Sequence, residues 1–178
     1  MKYSTFTTHG GVEIEKSITP LEADSALNKI YQYIDTHKGA LFVSNYEVPD
    51  RYSRWDLGFV NPALELIAKK REFQINALNP NGSRILSLIE PEIKKNSHLQ
   101  ELYSTSEKDN FLGMISRTVK ETTEFFSEEE RSLQPSVFSV IRTILKLFRS
   151  NDPYLGLYGA FGYDLVFQFE TIKPKLNR

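Results

Sequence analysis

The sequence predicts an α+β fold, with mixed, mainly antiparallel sheets flanked by helices. Two amphipathic helices carry clear start and stop residues, one near residue 20 and one opening at Pro135. Between them, three apolar or alternating runs follow within residues 57–78, too closely spaced for a helix to cross over between them. Nowhere do strands and helices alternate in the regular way of a doubly wound parallel sheet.

Residues 3–17 alternate loosely and break at Gly10-Gly11, which predicts an N-terminal hairpin. A helix follows. Thr19 is placed to cap it, and Pro20 suits a first turn, where a missing N–H costs nothing. Leu27, Ile30, Tyr31 and Ile34 fall on one face, and Gly39 sits just past the end. The run Ala40–Ser44 then reads as a strand.

Leu57–Val60, Ala63–Lys69 and Glu72–Leu78 read as an antiparallel meander closed by a turn at Asn79-Pro80-Asn81-Gly82. Arg84–Ile89 is apolar and fits strand or helix. Residues 92–126 are polar, with charges of both signs, and read as a loosely packed excursion holding one short strand or helix. Ser127 and Glu130 have capping-box spacing. Beyond Pro135, Val137, Val140, Ile141, Ile144, Leu145 and Phe148 form a broad apolar stripe that Arg142, Lys146 and Arg149 avoid. Tyr154–Tyr163 reads as a strand in which glycines alternate with aromatics, expected to mark close backbone approach. If that strand lacks sheet neighbours, its edge favours dimerisation or aggregation.

Composition narrows the function. The chain has 178 residues, 22 Lys plus Arg and 23 Asp plus Glu, a formal net charge of -1. That balance lacks the basic surplus that nucleic acid or an anionic membrane favours. Without cysteine there is no disulfide framework, thiol nucleophile or thiolate-bound metal. The first residues lack the apolar run of a signal peptide and no window reaches membrane-span length, so the expected location is cytoplasmic.

No metalloprotease, nucleophile-elbow or phosphate-loop motif is present. His9, His37 and His98 sit in a turn, a helix end and the polar excursion, and read as structural. Glu121, Glu124, Glu128, Glu129 and Glu130 cluster in sequence, the last three suiting a first helical turn. Gly156, Gly159 and Gly162 do not have dinucleotide-fingerprint spacing. The chemistry that stands out is the loop after Ser44, with Arg51, Tyr52, Ser53, Arg54 and the single Trp55. It reads either as a small-ligand pocket at a strand end or as a surface loop where Arg54 stacks on Trp55.

Three segments in register resemble anthranilate synthase component I, in particular the bacterial type fused to its glutamine amidotransferase. They are Ser44–Asp56, the run Phe126-Ser127-Glu128-Glu129-Glu130-Arg131-Ser132 with Pro135–Phe138, and Gly156–Glu170. The resemblance covers most of residues 20–172 and implies that residues 1–178 are that family's N-terminal domain.

It implies chorismate as substrate of the complete enzyme. There, ammonia from glutamine adds to the ring and pyruvate leaves, with magnesium holding the substrate carboxylates. That chemistry belongs to a chorismate-binding domain expected beyond Arg178, so no catalytic residue, metal ligand or cofactor is assigned here and this chain alone is expected to be inactive. The expected partners are that domain, the amidotransferase and L-tryptophan, without nucleic acid or membrane.

The family's N-terminal part carries half of a tryptophan feedback site. Its Leu-Leu-Glu-Ser motif matches Leu41-Phe42-Val43-Ser44, with Val43 replacing glutamate and Ser44 falling on the inhibitor-contacting serine. Its Arg-Tyr-Ser step matches Arg51-Tyr52-Ser53. The resemblance therefore implies tryptophan binding by Val43, Ser44, Arg51, Tyr52 and Ser53. Arg51 could instead pair with Asp50 or Asp56. Alternative assignments are a related synthase making aminodeoxychorismate, aminodeoxyisochorismate or isochorismate, and a stand-alone amino acid-binding module.

Overall fold

The computed structural model describes residues 1–43, 56–100, 103–105, 112–122, 126–127, 129–130 and 133–170, with backbone alone at 103–105. The fold is α+β, as the sequence predicts. Among the described residues there are eight strands in three antiparallel sheets, three α-helices and a 3-10 helix.

Strands β1 (Lys2–Thr7) and β2 (Glu13–Ile18) form the expected hairpin. Its turn seats on a distant helix end. The Thr8 hydroxyl donates to the Leu147 carbonyl at 2.8 Å, and the His9 N–H to the Arg149 carbonyl at 2.7 Å. A Cβ on Gly10 would stand 2.3 Å from the Leu147 oxygen, so a glycine is needed at this contact.

Helix α1 (Ala23–Ile34) starts three residues later than Thr19-Pro20 suggests. Glu22 takes the capping role: its carboxylate accepts from the Asp24 and Ser25 N–H groups at 3.0 and 2.8 Å. Those bonds hold its pKa below the ordinary carboxylate value. The helix packs on a ribbon of β3 (Gly39–Val43) and β4 (Asp56–Val60).

The expected meander is interrupted here, because β4 does not pair with β5 (Leu64–Lys69). Instead, β5 turns tightly into β6 (Glu72–Ala77) through Lys70, which takes a left-handed φ of 55°. The four-stranded sheet runs β5-β6-β8-β7, with β7 at Tyr103–Thr105 and β8 at Met114–Thr118. The polar 92–126 stretch thus supplies an inner strand, correcting its reading as a loose excursion. Ile115 is buried directly opposite Ile75.

Asn79-Pro80-Asn81-Gly82 opens a helix where a turn was expected. Asn79 caps α2 (Pro80–Lys94), its side-chain oxygen accepting from the Gly82 N–H at 3.0 Å, with Pro80 in the first turn. The residue types of a turn and of a capped helix start coincide here. Leu86, Ile89 and Ile93 face the sheet and meet Val140 and Ile144 of α3 (Val137–Phe148). With Phe73, Ile75, Ala77, Leu99, Ile115 and Val119 they form the core.

Arg71 ties this core together. Its guanidinium donates to the carbonyls of Val119, Lys120 and Pro135 at 3.1, 2.5 and 2.7 Å. Ser127 and Glu130 do bond, side chain to side chain at 3.0 Å, but in a turn rather than at a helix start. The described part of 154–163 is likewise not a strand: it runs irregularly into a 3-10 helix at Tyr163–Gln168. A Cβ on Gly156, Gly159 or Gly162 would meet nothing within 4 Å, so no close approach explains those glycines. Among the described residues, no helix is long and apolar enough to cross a membrane.

Candidate functional site at the end of the first ribbon

The ribbon β3–β4 fixes both ends of the segment 44–55. Its register runs from Gly39 opposite Val60 to Val43 opposite Asp56, so the chain leaves and returns at adjacent positions. Glycine at 58 lets α1 come close: a Cβ there would lie 2.6 Å from Ile30 Cδ1 and 3.1 Å from Leu41 Cδ1. Alternation puts Ala40, Phe42, Leu57 and Phe59 on the opposite face, where the Phe59 ring meets Tyr158 at 6.1 Å.

Of the residues matched to a tryptophan site, Val43 ends β3 and is 49% exposed. Ser44, Arg51, Tyr52 and Ser53 lie outside the described residues, as do Asp50, Arg54 and Trp55. Val43 thus offers half-exposed apolar surface at a strand end and no polar side-chain group.

A second grouping surrounds the N-terminus of α3. Gln168 Oε1 accepts the Val137 N–H at 3.0 Å, and Ser139 Oγ accepts the Ser136 N–H at 3.3 Å. Gln168 Nε2 is buried without a hydrogen-bond partner, and the Ser136 side chain faces the Ser139 N–H as the other half of a capping box. Val137 also lines a groove of about 110 Å³ between α3, β5 and residues 160–165, walled by Leu66, Phe138, Phe161 and Leu165; neither Gln168 nor Ser136 lines it. Sequence reading missed this grouping. Gln168 sits within Leu165-Val166-Phe167-Gln168-Phe169, where a lone amide carries no signal of its own.

Elsewhere the titratable groups are structural. Lys16 pairs with Asp152 and lies 4.8 Å from the centre of the Tyr154 ring. Asp152 also accepts from the Tyr154 and Leu155 N–H groups, at 2.9 and 3.1 Å. Lys16 first, and those amides with it, hold the Asp152 carboxyl below its ordinary value. His9, His37 and His98 are exposed; His37 packs edge-on against Tyr33 at 5.3 Å. Among the described residues, no three His, Asp or Glu side chains gather as metal ligands. Glu121, Glu129 and Glu130 are exposed, and Glu124 and Glu128 lie outside the described residues.

No protein-family model matches the chain, and no solved structure gives a significant match. A relative from Azospirillum brasilense, named anthranilate synthase, is 40% identical over 174 residues, 97% of this chain. This chain is a homologue of part of the anthranilate synthases. The anthranilate synthase component 1 of Haemophilus influenzae is 24% identical over 134 residues, and that of Buchnera aphidicola from Acyrthosiphon pisum 27% over 137. The chain spans 23% of the length of the Azospirillum relative and 24% of each of the other two.

Proposed function

We propose that this chain is the regulatory and structural part of an anthranilate synthase, which converts chorismate and glutamine to anthranilate and pyruvate. In this reading it contributes half of a tryptophan feedback site at the end of the β3–β4 ribbon. The observation that carries the proposal is the homology, because an alignment over 174 of 178 residues runs through 41–56. The ribbon supports it by pinning residues 43 and 56 side by side, so that ligand contacts in the intervening segment act directly on β3, β4 and α1.

The chemistry suits the effector. Indole needs an apolar wall, which Val43 and Tyr52 supply. An amino acid carboxylate is matched by the Arg51 guanidinium, and Ser44 and Ser53 donate or accept as the ligand requires. Tryptophan favours an arrangement in which this domain and the chorismate-binding domain are misaligned for substrate. Chorismate must then weaken tryptophan by the same factor. Magnesium belongs, in this reading, to the chorismate-binding domain, and no step runs through it here.

The test uses the complete enzyme. Ser44→Ala should raise the tryptophan concentration for half-inhibition by about tenfold, equivalent to about 1.4 kcal/mol, and leave uninhibited turnover unchanged. Unaltered inhibition overturns the assignment of the site. A released product other than anthranilate overturns the assignment of the enzyme.

A further inference from the structure

Strand β5 ends the four-stranded sheet, and its outer edge has no partner among the described residues. The pairing of β5 with β6 decides which groups that edge presents. The Leu78 N–H donates to the Ala63 carbonyl at 2.9 Å, so these two positions form a hydrogen-bonded pair. Alternation along the register makes Glu65 with Asn76, Ile67 with Gln74 and Lys69 with Glu72 the next such pairs. Leu66 and Ala68 therefore turn their N–H and C=O groups outward, where no described residue bonds them.

The side chains of this edge divide between two faces. Leu66 and Ala68 lie opposite the buried Ile75 and Phe73, and line the groove with Phe138 and Phe161. Glu65, Ile67 and Lys69 belong to the other face, where Ile67 is 49% exposed and Lys69 is exposed. An acid, an exposed aliphatic and a base at alternate positions complement themselves when the strand is reversed. Edges that stay single are usually blunted by a central charge, a proline or a bulge, whereas the middle of β5 is Leu66-Ile67-Ala68.

We propose that β5 pairs antiparallel with β5 of a second copy of this chain, across a two-fold axis at Ile67, joining the two sheets into one. Leu66 then stands opposite Ala68 of the second copy, and both use their outward N–H and C=O groups. Ile67 meets its counterpart on the axis, and Glu65 faces Lys69 on each side of it. Glu65 accepts from Lys38 at 2.6 Å and from Asn76 at 3.3 Å, and a carboxylate has room for a further donor. Other registers lose the match. With the axis at Leu66 or Ala68, Ile67 faces a charged side chain; at Glu65 or Lys69, like charges face each other. An axis between two residues sets outward backbone groups against inward ones. The pairing uses none of residues 44–53 and holds whether or not those bind tryptophan.

Sedimentation equilibrium of the 178-residue chain tests it. One strand edge buries less than the roughly 1,200 Å² of a stable interface, so a weak dimer with a dissociation constant of about 0.1 mM is expected. Lys69→Glu and Glu65→Lys each set like charges opposite one another and should each weaken self-association at least about tenfold. Mixed in equal amounts, the two variants regain both ion pairs, and a heterodimer should form about as tightly as the parent dimer. Ile67→Lys brings two ammonium groups together on the axis and should abolish association.

Glu65→Lys gives up the contacts to Lys38 and Asn76, so Lys69→Glu and Ile67→Lys, both at exposed positions, keep the test independent of folding. An interface at the exposed aromatics Tyr154 and Phe161 would leave all three variants as dimeric as the parent. A monomer throughout the concentration range, undiminished association of Lys69→Glu or Ile67→Lys, or no heterodimer between the two folded charge variants would each overturn the inference.

Discussion

Gly82 is a position where one methyl group should cost much of the protein's stability. It lies buried in the first turn of α2, against the chain that links β4 to β5. A Cβ there would stand 2.0 Å from the Ala63 carbonyl oxygen, 3.0 Å from its carbon and 3.2 Å from Ala77 Cα. All three are backbone atoms, so no side chain can rotate away. The Ala63 oxygen is also held in place, since it accepts the Leu78 N–H at 2.9 Å.

Overpacking of this kind costs about 1–3 kcal/mol, and the upper end fits a rigid obstacle. Loss of the Ala63–Leu78 bond adds about 1 kcal/mol, and the better helix propensity of alanine returns about 1 kcal/mol. Gly82→Ala should therefore destabilise by about 2–3 kcal/mol, lowering the melting temperature by about 4–12 °C for a chain of this size.

The matched control is Gly156→Ala. A Cβ at 156 meets nothing within 4 Å, and restricting the unfolded chain should stabilise by about 0.4–1 kcal/mol. Urea unfolding of both variants, with equal m-values, reads the difference directly. If Gly82→Ala unfolds at the same midpoint as the parent or as Gly156→Ala, the packing of α2 on the β4–β5 link is misassigned.

Three further outcomes follow from particular contacts. Arg71→Met strands the carbonyls of Val119, Lys120 and Pro135 and should cost about 2–4 kcal/mol by urea unfolding. Lys70→Gly relieves a left-handed backbone at the β5–β6 turn and should raise stability by about 0.5–1 kcal/mol. Lys16→Met should flatten the acid limb of the stability–pH curve. Asp152's carboxyl is lowered in the folded state, so its contribution is complete above its ordinary value of 3.8 and fades as pH falls through the folded value. Removing Lys16 removes the largest cause of that lowering, and an unchanged acid limb would refute its role.

Where local chemistry decided the structure, the sequence was readable. Gly10-Gly11 marked the first hairpin, and the spacing of Val137, Val140 and Ile144 marked the stripe of α3. Where a distant partner decided, it was not. Met114–Thr118 contains Ser116, Arg117 and Thr118, and becomes an inner strand because Ile75 and Ile115 meet across the sheet from far apart in sequence. The glycines and aromatics of 154–163 do have strand composition, yet strand composition makes a strand only beside a neighbour. At the candidate site, the start of the segment 44–55 was legible as the point where an apolar run stops. The Gln168 amide was not, since only burial against the start of α3 gives it meaning.

Burial is uneven in a way that bears on the proposed tryptophan site. The sheet β5-β6-β8-β7 with α2 and α3 holds the fully buried apolar residues, while α1, β3 and β4 contain none. Opening free energy tracks buried apolar contact, so β3 and β4 should exchange their amide hydrogens well before β6 and β8. An effector that binds the segment between Val43 and Asp56 would act on a lightly buried part of the fold, where a modest binding energy goes far. At a hundred times its dissociation constant, tryptophan would add about 2.7 kcal/mol to the protection of that ribbon and little to the core. Hydrogen exchange on the complete enzyme, with and without tryptophan, separates the cases. Slowed exchange confined to β3, β4 and α1 supports an effector seated at the ribbon's end. Protection of β6 and β8 in its place would put the effector away from the ribbon's end.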